Sequence, residues 1–298
     1  MIGMNHSDLD KPWPKTTWVR CWDIQCDMAR VHLARHSYDW SRLDRWFDKA
    51  ESIGAKTVYV IHGTPAFNAK NPTNEHNAGW MPAGANSVPK SIDVFNEFVH
   101  ALCSRYKGRL HAIEVGNEAA NLLDFWNPIT KASMETLVKM HKRAYKTAKS
   151  IDPSITVVAN CILPRKSSGG VKKAQKFIDA MKAAGWPCDA VSCHIYPLPD
   201  NPDAHGGGAN YPEFKRDYDA VKSAVKKAGG PYKKCWVTEF SIDLLKPRLS
   251  DAKAQNIIRK IREKHKGFVF YYAWDRPDLG GLYVGPNTLA WSEMEKMV

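Results

Sequence analysis

Short apolar runs alternate with longer amphipathic stretches along this chain. The runs occupy 1–5, 18–24, 57–62, 110–115, 155–161, 190–196, 235–240 and 268–274. They are rich in Val, Ile, Tyr and Trp and are bounded by turn residues, which predicts buried strands. Between them, apolar positions recur at helical spacing over 40–53, 94–106, 134–150, 171–184, 214–228 and 252–264, and a last such stretch, 289–298, closes the chain. Eight strands separated by helices predict a parallel sheet with helical crossovers. Closed on itself, that sheet is a (β/α)8 TIM barrel, an α/β fold filling 1–298 as a single domain. An open doubly wound sheet is the alternative, but no Gly-x-Gly-x-x-Gly follows the first runs.

The connections are lopsided. Helix-to-strand turns are short, such as Gly54-Ala-Lys and Asp152-Pro-Ser, whereas the strand-to-helix segments 63–92, 119–133, 197–213 and 275–288 are long. In a barrel those long loops all rise from the carboxyl face, where active sites sit. They carry Trp80, Trp126, Tyr211 and Tyr283 among many Asn, Asp and Gly residues. Aromatic faces mixed with hydrogen-bonding groups suit sugars, and long walls suit a groove for a polymer.

One run ends unusually. Leu110-His-Ala-Ile-Glu-Val passes straight into Gly116-Asn117-Glu118. A carboxylic acid at the end of a core strand is costly unless it has partners or a chemical role. Asn-Glu occurs three times in the chain, but only Asn117-Glu118 stands at the carboxyl end of a strand-like run. Trp236-Val-Thr-Glu239 repeats that placement on the seventh run. Carboxylates from the fourth and seventh strands face each other across a barrel mouth, and glycoside hydrolysis needs such a pair. Period-2 alternation also places Glu114 inside the barrel, where Arg20 is available to it; Glu114 therefore reads as structural and Arg20 as shared between structure and site.

Composition narrows the alternatives. Hydrophobic residues make up 44% and aromatics 11%, which excludes wholesale disorder. No apolar run approaches the length of a membrane span, and no secretory signal opens the chain. The seven cysteines are scattered and read as buried free thiols, with a Cys188–Cys235 bridge left open. A formal charge of +12 favours an acidic polymer if the basic residues face the cleft; Arg165, Lys166 and Arg276 are the candidates. No nucleic-acid-binding pattern accompanies that charge, and no spacing resembles a metal site, so neither nucleic acid nor a cofactor is expected.

Several segments together resemble clan A glycoside hydrolases, most closely family 39, which includes β-xylosidases, α-L-iduronidases and exopolysaccharide hydrolases. The residues concerned are Val19-Arg-Cys-Trp-Asp23, Tyr38-Asp-Trp-Ser-Arg-Leu-Asp44, Gly63-Thr-Pro65, Asn117-Glu-Ala-Ala-Asn-Leu-Leu-Asp-Phe-Trp126, Asp189-Ala-Val-Ser-Cys-His-Ile-Tyr-Pro197 and Trp236-Val-Thr-Glu239. Two positions depart from that pattern: Gly116 replaces a Trp and Ala119 a Pro.

The resemblance implies a retaining enzyme with Glu118 as acid/base and Glu239 as nucleophile. It also implies Asn117 at the sugar 2-hydroxyl, Tyr196 on Glu239, His194 lining the pocket and Trp274 as the platform under the sugar. Arg20, Trp22, Asp23, His62, Trp80 and Trp126 complete the expected substrate-binding set. The reading is a monomeric, retaining, endo-acting β-glycoside hydrolase on a polysaccharide, possible acidic character included, acting outside the cell or at its surface. A catalytically silent carbohydrate-binding or inhibitor barrel is the alternative.

Overall fold

A computed structural model describes residues 2–5, 8–13, 15–74, 81–165, 169–196, 211–241, 251–272, 292 and 296. Its elements are, in chain order, β1 (Ile2–Asn5), β2 (Trp18–Cys21), α1 (Met28–Val31), β3 (His32–Ala34), β4 (Ser37–Tyr38), α2 (Ser41–Ser52), β5 (Lys56–Ile61), α3 (Ile92–Arg105), β6 (Ala112–Val115) and α4 (Lys131–Ile151). There follow β7 (Thr156–Ile162), α5 (Gly170–Lys173), α6 (Gln175–Ala183), β8 (Ala190–Ile195), α7 (Tyr211–Lys227), β9 (Cys235–Phe240), α8 (Asp251–Lys264) and β10 (Val269–Tyr271). Eight strands close a parallel barrel in the order β1-β10-β9-β8-β7-β6-β5-β2. All eight apolar runs thus become barrel strands. The antiparallel pair β3–β4 was not anticipated; it folds within the connection between β2 and α2. The stretch 171–184 forms two helices, α5 and α6, rather than one.

Period-2 alternation sorts each strand. Outward residues such as Val19, Ile113, Val115, Val157 and Val191 pack against the helices in the main core. Inward residues Trp18, Val58, Ala112, Val158, Ala190, Trp236 and Phe270 form a separate apolar plug. The plug fills the end of the barrel where the strands begin. Gly3 is required there, because a Cβ would come within 2.3 Å of the Phe270 ring. Two residues further along those strands, on the same inward face, the character changes, to Asn5, Arg20, Glu114, Asn160, Ser192 and Thr238. A closed apolar floor beneath a polar layer directs the chemistry to the carboxyl end.

Helix α4 starts on a reciprocal cap, with Ser133 N–H donating to Thr130 Oγ1 at 3.1 Å and Thr130 N–H to Ser133 Oγ at 2.9 Å. All seven cysteines are free thiols. The open Cys188–Cys235 bridge is corrected here: Cys235 Sγ lies 3.9 Å from Cys193 Sγ, its neighbour across β8 and β9. Among the described residues no helix is long and apolar enough to cross a membrane.

Candidate active site

Arg20, fully buried in the polar layer, organises the site. Its Nε donates to Glu114 Oε2 at 2.7 Å, Nη1 to Glu239 Oε1 at 2.8 Å and to Asn5 Oδ1 at 3.2 Å, and Nη2 to Asn117 Oδ1 at 2.8 Å. Glu114 Oε1 accepts from Ser192 Oγ at 2.5 Å and Thr238 Oγ1 at 2.9 Å. Every acceptor of Glu114 is therefore committed inside the barrel, as the alternation predicts for a structural carboxylate.

Glu239 reaches the same guanidinium through an irregularity. Strand β9 pairs Cys193 with Val237 and then His194 with Glu239, leaving Thr238 as an extra residue. Strict alternation from Trp236 would send Thr238 inward and Glu239 outward. The bulge lets both face the axis, the kind of re-aiming that bulges supply beside active sites.

Glu118 is placed by a different break. The strand β6 ends at Val115, and Gly116 adopts φ +88°, where a Cβ would also come within 2.9 Å of Asn160 Oδ1. The missing Trp at this position thus has a local reason. Glu118 itself takes φ +46°, a left-handed conformation that a non-glycine residue keeps only when its surroundings hold it. They do: Ala119 N–H donates to Asn160 Oδ1 at 3.1 Å and Glu118 N–H meets Cys161 Sγ at 3.0 Å.

His194 joins the two carboxyls. Its Nδ1 lies 2.7 Å from Glu118 Oε1 and 3.2 Å from Glu239 Oε2, and all three atoms fall within 4.8 Å of one another. Tyr196 donates its hydroxyl to Glu239 Oε2. These three atoms are close enough to hold a divalent cation, as are those of Glu114, Cys161 and His194.

The electrostatics separate the pair. Burial pushes the Glu118 carboxyl up to about 7; Arg20 opposes the shift, and Glu114 and Asp124 add to it. Burial also raises Glu239, but there Arg20 and the Tyr196 hydroxyl favour the ion. Glu239 touches the guanidinium directly and Glu118 does not, so the proton resides on Glu118. Burial lowers His194 to about 4, which keeps its imidazole neutral.

A cleft of about 460 Å³ opens over this group. Trp22, Asp23, His62, Asn117, Glu118, Tyr196 and Glu239 line it, and Arg20 and His194 support it from beneath. Trp22 packs on His62 at 4.5 Å between ring centres and on Phe125 at 5.8 Å. Trp126 is a correction: it is buried, 5% exposed, and lines a small pocket behind the cleft, while its neighbour Phe125 takes the place in the cleft wall. A loop segment has no fixed period from which to choose between adjacent aromatics. Trp80 and Trp274 lie outside the described residues.

Four contributors went unread in the sequence. Asn5 ties Arg20 to β1, Tyr272 donates to Asp23, and Asp27 and Arg30 form an ion pair in the wall. Asn5 carried a usable signal, a polar residue ending an apolar run, as at Glu118.

The glycosyl hydrolase family 10 model matches residues 25–266. The chain belongs to glycosyl hydrolase family 10. No curated protein matches it. Solved structures of low identity share its fold. Xylanase 10B from Thermotoga petrophila, determined with xylobiose, is 16% identical with a TM-score of 0.62, over 99% of this chain and 93% of its own. A family 39 β-xylosidase from Caulobacter crescentus is 19% identical with a TM-score of 0.61, over 86% of this chain and 55% of its own. A family 39 enzyme from Xanthomonas axonopodis pv. citri is 17% identical with a TM-score of 0.61, over 86% and 52%. This family 10 chain spans about half the length of those family 39 structures. The resemblance to family 39 is consistent with the match, since both families build the clan A barrel.

Proposed function

We propose that this family 10 chain is a retaining β-glycoside hydrolase cutting within a polysaccharide. The observation that carries the reading is the carboxyl pair. Glu118 and Glu239 bring oxygens within 4.8 Å of each other. Retaining enzymes hold their carboxyls roughly 5–5.5 Å apart, whereas inverting enzymes need about 6.5–9.5 Å to admit a water. In the first step Glu239 attacks the anomeric carbon while Glu118 protonates the departing oxygen. In the second, Glu118 takes a proton from water, which displaces Glu239 and restores the starting configuration. Asn117, anchored through Oδ1 to Arg20, keeps its amide N–H groups for a sugar hydroxyl beside the nucleophile.

The cleft favours a neutral sugar at the point of cleavage. Among the described residues Asp23, Asp27, Glu118 and Glu239 line it, against Arg30 as the one Lys or Arg. Of the basic residues expected at the cleft, Arg165 is not among its lining, and Lys166 and Arg276 lie outside the described residues. Neighbouring structures are named xylanase and β-xylosidase, so β-linked xylan is the first polymer to try. Both carboxylates are in place beneath an open cleft, which weighs against a silent binding barrel. The test is digestion of neutral and uronate-containing polysaccharides, following product size and the anomer first released. Release of the inverted anomer would overturn the double displacement.

The pH profile supplies a second check. Glu118 must be protonated to act as acid, so activity falls as pH rises through about 7. On an activated aryl glycoside, whose leaving group needs no proton, Glu118→Gln should lose that alkaline limb. A limb unchanged in the variant would assign it to another group.

A further inference from the structure

A lysine-lined groove lies at the other end of the barrel from the cleft. It lies between α7 and the turn after α8, floored by the first residues of β9 and by Phe268 just before β10, and encloses about 440 Å³. Lys215, Lys222, Lys233, Lys234, Lys264 and Lys266 line it. Among the described residues Asp219, ion-paired to Lys215, is the one acid of the lining. Aromatic rings are interleaved with these ammoniums. Lys264 Nζ sits 5.6 Å from the centre of the Tyr211 ring, and Lys222 Nζ sits 5.7 Å from that of Tyr218. Phe268 stacks on Trp236 at 4.3 Å, and Tyr211, Tyr218 and Phe268 all remain partly exposed.

We propose that this groove is a second carbohydrate site, which holds uronate-bearing units of an anionic polysaccharide while the cleft cuts neutral ones. The chemistry of recognition is specific to such a ligand. A pyranose ring offers an apolar face to a half-exposed aromatic ring, and its carboxylate reaches an ammonium already held over that ring. A bare anion would use the lysines and leave the exposed parts of the rings in water. The opposite signs of cleft and groove then have one explanation, a polymer whose neutral and acidic units are handled at separate places. Binding at the groove raises the local concentration of chain at the cleft without competing for it.

The inference uses the glycosidase reading only to choose the ligand, and its test needs no turnover. Polygalacturonate and neutral xylan are the probes, with retardation in affinity electrophoresis and calorimetry at low and moderate salt as readouts. Wild type should bind polygalacturonate more tightly than xylan, and added salt should weaken that binding. Lys215→Ala, Lys222→Ala and Lys264→Ala combined should reduce affinity for polygalacturonate about tenfold. Melting temperature and turnover of a small aryl glycoside should stay unchanged, since none of the three residues lines the cleft. A matched charge deletion on α4 and α6, K139A/K142A/K176A, should leave binding intact. The proposal is overturned if wild type ignores polygalacturonate, if the groove variant binds like wild type, or if the matched deletion weakens binding equally. Equal affinity for double-stranded DNA, lost in the same groove variant, would reassign the groove to polyanions in general.

Discussion

Glu239→Gln should reduce polysaccharide turnover by at least about 10⁴-fold while leaving the protein folded. The amide is nearly isosteric and cannot form the glycosyl–enzyme bond. Arg20 keeps Glu114 as a full counter-charge at 2.7 Å, so removing one of its two carboxylate partners leaves no unpaired cation in the barrel. The cleft walls formed by Trp22, His62 and Asn117 are untouched, so the loss should fall on kcat and leave KM near its original value. Initial rates on soluble xylan, with thermal melting as the folding control, provide the measurement. Activity within about tenfold of wild type would remove Glu239 from the mechanism.

Arg20→Met should produce the largest loss of stability of any single change in the polar layer. It strands two buried carboxylates, Glu114 and Glu239, and strips the acceptors of Asn5 and Asn117 of their donor. Breaking a buried ion pair from one side costs about 3–5 kcal/mol, roughly a 10 °C fall in melting temperature for a domain of this size. Activity should disappear with it, because Glu239 loses the cation that keeps it ionised. Arg20→Lys provides the variant that folds: one ammonium retains the charge but cannot serve all four acceptors, so an intermediate stability and low activity are expected. Glu114→Gln separates the two roles, since it should cost stability and leave most of the rate. A chain carrying Arg20→Met that melts with wild type would show that the four contacts are energetically idle.

The two variants locate different features in different kinds of information. Glu239 was visible as an acid at the end of an apolar run, matched by Glu118 three strands earlier. That Arg20 bridges Glu114 and Glu239 was legible only as an expectation that a buried charge must find partners. Asn5, 15 residues before Arg20, and Tyr272, 249 residues after Asp23, had no local signal naming those partners. Trp126 and Phe125 show the limit most plainly. Both are aromatic, adjacent and in a loop, and only the packing decides that Phe125 meets the cleft while Trp126 turns into the core.

What the sequence determined by itself is the barrel and the level of its chemistry. Alternation at period 2 sorts residues to the two faces of each strand, helical spacing supplies the crossovers, and loop length marks the carboxyl end. These are short-range regularities, and each is complete within a few neighbouring residues. Tertiary structure alone decided how the two glutamates meet. Glu239 faces the axis because β9 carries one extra residue opposite β8, and Glu118 does so because Gly116 and Glu118 leave the strand conformation against Asn160. Both are departures from the period that identified the strands, stabilised by contacts across the barrel. The distribution of charge is also a tertiary matter: the sequence contains an excess of lysine, and among the described residues only the folded chain gathers acids at the cleft and lysines at the groove.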